Sequence, residues 1–97
     1  MSSFMIILVK MHDREKFISG YGQKAPKLVK KFGGEYVIVA PSATLLEGNL
    51  DGYTSVAISK WPNRQAATNF WNSDEYAEVK KLREGLSETE VLLVDAI

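Results

Sequence analysis

The sequence predicts an α+β domain with the element order β-α-β-β-α-β, the ferredoxin-like or split βαβ arrangement, with two helices on one face of a four-stranded antiparallel sheet. Three observations carry this. Four short apolar runs, rich in Val, Ile, Leu and aromatic residues and bounded by turn formers, read as strands. Two longer, charged stretches carry apolar residues at helical spacing, one after the first run and one after the third. Gly33-Gly34, Pro41 and Pro62-Asn63 punctuate the chain where elements must end.

The first strand is FMIILVKM, residues 4–11, with Phe4, Ile6 and Leu8 on one face and Met5, Ile7, Val9 and Met11 on the other. Asp13 is placed to cap the next helix, and Glu15 lies in its first turn, where the helix dipole favours a carboxylate. Phe17, Tyr21, Ala25, Leu28 and Phe32 form the core-facing stripe. Pro26 interrupts it, and because proline removes a backbone donor and crowds the preceding turn, a kink or break is expected near Gln23 to Ala25. Gly33 should end the helix in the left-handed conformation.

EYVIVA, residues 35–40, is the second strand, stopped by Pro41. Ser42 to Asp51 is less regular, with Thr44-Leu45-Leu46-Glu47 as an extended piece continuing the pairing before a turn at Gly48-Asn49. The third strand runs from Tyr53 to Trp61, with Val56 and Ile58 on one face and Ala57, Ser59 and Trp61 on the other. Asn63 caps a helix through Phe70-Trp71. The phase breaks at Asn72-Ser73, and Ser73 caps a second piece, Asp74 to Leu86, that carries Tyr76, Val79, Leu82 and Leu86. Glu90 to Ala96 is the fourth strand.

A ferredoxin-like sheet leaves one face uncovered, and such a face should alternate to polar residues if it meets water. Here the first and fourth strands are apolar on both sides. An exposed apolar face normally marks an interaction surface, and a second copy is its simplest cover, so the expected partner is the chain itself, in a homodimer through the open sheet face.

Ninety-seven residues make one domain, residues 1–97, with a single modest core. Twelve basic and twelve acidic side chains cancel, so no net field draws a polyanion and nucleic acid is not an expected partner. With no cysteine there is no disulfide or thiolate chemistry. The longest apolar run, Phe4 to Val9, is six residues, too short for a signal segment or a membrane span; no membrane partner is expected and the expected location is cytoplasmic.

KFGGEYVIVA, LLEG, the Trp-Pro helix entry, FWNSDEY followed by LR, and VLLVDAI occur in this order over almost the whole chain. Together they resemble the bacterial family called "domain of unknown function 1330". The resemblance implies a dimeric α+β barrel, two sheets closing around the dimer axis, and no established reaction. The wider superfamily spans cofactor-independent monooxygenases, muconolactone isomerases, haem proteins and ligand-binding modules, so the fold cannot select a chemistry. Relatives often carry His before the glycine pair and Arg at two positions after it; here Phe32, Glu35 and Val39 occupy those places, and any acid/base or anion-binding role drawn from them is lost.

Tyr36, Trp61, Phe70, Trp71 and Tyr76 are the candidate lining of a pocket between sheet and helices for a flat, apolar ligand, although a small domain needs the same aromatics for its core. His12, Glu47 and Asn72 are the weak catalytic candidates. His12 is the one side chain titrating near neutrality without help, with Asp13 beside it; Glu47 adjoins the Leu-Glu-Gly turn; Asn72 lies in the helix break. A loop-edge histidine, a turn carboxylate and a helix hinge are the plainer readings. No metal or other cofactor is expected, since a lone His cannot supply the three or four ligands of a stable site. Lys24, Lys27 and Lys31 read as a solvated helix face. Two functions follow: a binding module for a small apolar or aromatic molecule, or a cofactor-independent monooxygenase or isomerase, which needs a base and an oxyanion partner in one cavity.

Overall fold

Residues 1–97 are all described by the computed structural model. In chain order the elements are β1 (Ser3–Met11), α1 (Arg14–Ser19), α2 (Tyr21–Lys31), β2 (Glu35–Ala40), β3 (Ser55–Trp61), α3 (Arg64–Trp71), α4 (Asp74–Lys80), a 3-10 turn (Lys81–Arg83) and β4 (Ser87–Asp95). The strands form one antiparallel sheet in the order β2-β3-β1-β4, the ferredoxin-like α+β arrangement. No helix is long and apolar enough to cross a membrane.

Strand alternation assigns the two sheet faces. Met5 and Val9 of β1 are buried, with Ser55, Ser59 and Trp61 of β3, on the face that carries the helices. Met5, Trp61, Val29 of α2, Ala67 and Phe70 of α3 and Tyr76 of α4 form a single buried cluster. Across the other face, register aligns Ile38, Ile58, Ile6 and Leu92 in one row spanning all four strands. Leu92 is 52% exposed and Ile38 48%.

Both helical crossovers are broken, for different reasons. The first is expected to break near Gln23 to Ala25 but does so at Gly20 (φ −102°, ψ −86°), and Pro26 remains inside α2. Glycine absorbs the irregular dihedrals at little steric cost. Asp13 caps α1 by accepting from the Lys16 N–H at 3.1 Å. The second crossover breaks at Asn72-Ser73: Ser73 Oγ accepts from the Tyr76 N–H at 3.0 Å and donates to the Phe70 carbonyl at 2.7 Å, joining both pieces. Asn63 caps α3 through Ala66 N–H at 2.8 Å.

Gly33 ends the first crossover at φ +96°, as its position predicts. Three boundaries differ from expectation. Residues 41–54 form an irregular loop closed by Ala43 N–H to the Thr54 carbonyl at 2.7 Å, and Thr44 to Glu47 joins no strand. Positive φ at Gly48, Asp51 and Gly52 turns the chain repeatedly there and delays β3 to Ser55. α4 stops at Lys80, ahead of the expected Leu86, and β4 begins at Ser87, ahead of Glu90. β1 runs to Met11, and its pairing with Ser87 draws the polar Ser87-Glu88-Thr89 segment into the sheet.

Candidate functional site

Two adjoining cavities lie between the broken first crossover and the sheet. The larger, about 420 Å³, is bounded by Phe17, Ile18 and Tyr21 from the helices, Ala25 and Pro26 from α2, Val9 and Met11 from β1, Val39 and Ala40 from β2, and Ser55 and Ala57 from β3. It opens toward the β2 edge, where Val39 is 73% exposed. A smaller cavity of about 20 Å³ lies further in, bordered by Tyr21, Tyr36, Phe70, Trp71, Tyr76, Arg83 and Thr89. Ile7, Val9, Phe17, Tyr21 and Tyr36 belong to both walls.

Aromatic packing builds the inner wall. Phe70 stands 4.4 Å from Tyr76 between ring centroids, Trp71 is 5.3 Å from Tyr76, and Tyr21 meets Tyr76 edge to face at 6.4 Å. The hydroxyls of Tyr21 and Tyr76 share a hydrogen bond of 2.7 Å, and the Arg83 guanidinium lies 5.5 Å from the Tyr21 ring centre. Burial, reinforced by Tyr76, pushes the Tyr36 hydroxyl up from 10.0 to about 12 against the opposing charge of Arg83. Tyr21 is raised further, by burial first, then by Tyr76 and Tyr36. Both stay neutral near pH 7 and act as hydroxyl donors and acceptors. At the mouth, an Arg14 Nη donates to the Pro41 carbonyl at 3.1 Å and to Ser55 Oγ at 2.8 Å, while Ser55 donates to the same carbonyl at 2.9 Å.

Of the residues singled out in the sequence, Tyr36, Phe70, Trp71 and Tyr76 meet at the inner cavity. Trp61 does not: it is 1% exposed, donates Nε1–H to Ser59 Oγ at 2.9 Å and packs on Phe70 with ring centroids 5.1 Å apart. The structure does not bring His12, Glu47 and Asn72 together. His12 Nε2 is 2.8 Å from Glu88 Oε2 in a half-exposed pair outside the cavity. Glu47 is exposed in the 41–54 loop, and Asn72 is exposed as the C-cap of α3, so neither borders either cavity. No three His, Asp or Glu side chains cluster. Sequence reasoning overlooked Arg83 and Thr89, because a helix carried through Leu86 hides both the 3-10 turn and the strand start. The alternation Ser87-Glu88-Thr89-Glu90 was the available signal.

No functionally curated protein matches the chain. Among solved structures, it is similar to RPA0582, a protein of unknown function from Rhodopseudomonas palustris, at 18% identity over 99% of this chain and 82% of that one, with a TM-score of 0.81. SnoaB, a cofactor-independent oxygenase from Streptomyces nogalater, matches at 18% identity over 99% and 93% of the two chains, TM-score 0.71. A dimeric protein of unknown function with a ferredoxin-like fold from Bacteroides fragilis matches at 11% identity over 98% and 96%, TM-score 0.57. At these identities the likeness is one of fold. Sequence goes further than fold here: residues 2–97 match the family "Domain of unknown function (DUF1330)", and the chain belongs to it.

Proposed function

We propose that this protein binds a small, largely apolar or aromatic molecule in the cavity between its helices and its sheet, and that it does so as a cytoplasmic homodimer. The observation that carries the binding reading is the 420 Å³ cavity, apolar along most of its wall, with Tyr21, whose hydroxyl bonds to that of Tyr76, among its lining residues. Ligand sites are concave, mostly apolar and furnished with a few fixed polar groups, at volumes of roughly 300–1,000 Å³. Calorimetric titration with naphthalene-sized neutral aromatics tests it. Binding to the wild type and its loss in Ala57→Phe, which fills the cavity floor, is expected; no binding by any such aromatic would sink the reading.

The dimer reading rests on the uncovered aliphatic row and on area. A compact monomer of 10.8 kDa should expose about 5,500 Å². This chain exposes 6247 Å². The excess approaches what one partner buries in a standard interface, about 800 Å². The Bacteroides fragilis neighbour, described as dimeric, is consistent with it. Light scattering at micromolar concentration should give twice the chain mass, and Leu92→Glu should give the monomer; a monomeric wild type would refute it.

A second reading is turnover by a cofactor-independent oxygenase or isomerase. It is favoured by the hydrogen-bonded Tyr21–Tyr76 pair beside Trp71 and Arg83, a set able to stabilise charge developing on a substrate oxygen. The likeness in fold to SnoaB is consistent with it. With His12, Glu47 and Asn72 outside the cavity, the substrate would have to arrive ionised. Oxygen uptake with 1,4-dihydroxynaphthalene at a pH where it is ionised, faster than its spontaneous oxidation and returned to that background rate in Tyr76→Phe, is its test; uptake no faster than background would remove this reading.

A further inference from the structure

The inner cavity holds a feature that an apolar ligand alone does not use. Arg83 takes part in none of the four ion pairs, which join His12 to Glu88, Lys31 to Glu75, Arg64 to Asp95 and Lys81 to Glu78. Its Nε is buried and has no acceptor, and the hydroxyls of Ser87 and Thr89 are likewise buried without a partner. A buried donor on a charged group left unmatched is destabilising, more so than a neutral one. Nor can the neighbouring carboxylates supply the match. Ser87 and Thr89 lie on the helix-facing side of β4, in register with Met11 and Val9, so alternation sends Glu88 and Glu90 to the opposite face. The buried Nε of Arg83 and the Thr89 hydroxyl thus belong to residues that border one small cavity with no anion provided by the chain.

We infer that Arg83, assisted by Thr89, receives the carboxylate of the cavity's ligand, which makes that ligand a flat apolar acid rather than a neutral molecule. A guanidinium presents its Nε–H and an Nη–H in a fork that matches the two oxygens of a carboxylate. The cavity that Arg83 and Thr89 border, about 20 Å³, has room for a group of water size. It adjoins the 420 Å³ cavity through Tyr21 and Tyr36, so a carboxylate at the inner end leaves an aromatic body in the larger space. Arg14, the other guanidinium in the cavity wall, is already engaged with Pro41 and Ser55 at the mouth. The inference rests on the binding reading above and names the class of its ligand.

Calorimetric titration of 2-naphthoate and of its neutral counterpart 2-naphthalenemethanol, into wild type, Arg83→Met and Thr89→Val, decides it. The wild type should favour the acid by about tenfold or more, as expected of a charge-assisted bidentate pair. Arg83→Met should erase that preference by weakening the acid more than the alcohol, and Thr89→Val should reduce it in part. Equal affinities in the wild type, or an undiminished preference in Arg83→Met, would overturn the inference and leave the cavity reading intact. Failure of both compounds to bind the wild type would end both readings. Should Arg83→Met not fold, the wild-type comparison and Thr89→Val still decide.

Discussion

The indole of Trp61 covers Gly34 so closely that a Cβ built there would stand 2.8 Å from ring atoms Cδ2, Cε2 and Cε3. The neighbouring Gly33 meets only the Pro62 ring, at 3.8 Å, and is constrained instead by its φ of +96°. The two glycines of one pair are therefore required for different reasons. Gly34→Ala must displace a ring that is itself packed on Phe70, and overpacking of this kind costs about 1–3 kcal/mol or more. Gly33→Ala should cost about 1 kcal/mol through backbone strain. Urea denaturation of both variants measures this, and a Gly34→Ala loss no larger than that of Gly33→Ala would contradict the steric account.

Tyr21 and Tyr76 join the two crossovers through a single 2.7 Å hydrogen bond. Replacing either by Phe strands the other hydroxyl in the interior, a loss of about 1–3 kcal/mol. The double replacement removes both polar groups and should cost less than the sum of the singles. A double-mutant cycle in chemical denaturation reads the coupling directly; strict additivity would mean that the hydroxyls are satisfied separately.

Alkaline pH should loosen the same region. Tyr36 is raised from 10.0 to about 12, so the folded chain keeps a proton in that window that the unfolded chain has released. This contribution to stability is full below pH 10 and is lost as pH climbs through the folded value, with a slope of up to about 1.4 kcal/mol per pH unit for each such group. Tyr21, raised in the same direction, adds to it. Tyr36→Phe should flatten the fall in denaturation midpoint above pH 10 relative to wild type. An equal slope in the two proteins would remove Tyr36 from the cause.

Arg14 fastens α1 to the exit of β2 and the start of β3. α1 contains no fully buried residue and is separated from α2 by the break at Gly20, so beyond the packing of Phe17 on Tyr21 this latch is its tie to the sheet. Arg14→Ala should therefore speed hydrogen exchange of the amides of residues 16–20 while leaving those of β1 and β3 protected, with a loss of global stability of about 1 kcal/mol. Uniform acceleration across the sheet would show that the latch supports the whole fold rather than one segment.

Four strands, the caps at Asp13, Asn63 and Ser73 and the left-handed Gly33 were legible in the sequence because each rests on a local rule of period, capping or backbone freedom. So was the pairing of the broken second helix with the aromatics around Tyr76. The arrangement around Arg83 was not. Its burial depends on β1 continuing to Met11 and pulling a polar segment into the sheet, a tertiary effect that local propensity cannot express. Pro26 is the conspicuous breaker in the sequence, yet the first helical break falls at Gly20, whose irregular dihedrals no local period announces. Strand β2 hides a further subtlety: its register with β3 skips Val37, so that Tyr36 and Val39, three residues apart, face the helices together.

That skipped residue also bears on how the protein behaves when crowded. β2 is an outer strand of the sheet, and an outer strand with regular, unpaired amides is a template for another chain to add to. The bulge at Val37 interrupts that regularity and adds local twist. Strand-by-strand growth into fibrils is thereby discouraged on this side, even with Val37 and Val39 exposed, and the homodimer proposed above would use the sheet face instead of this edge.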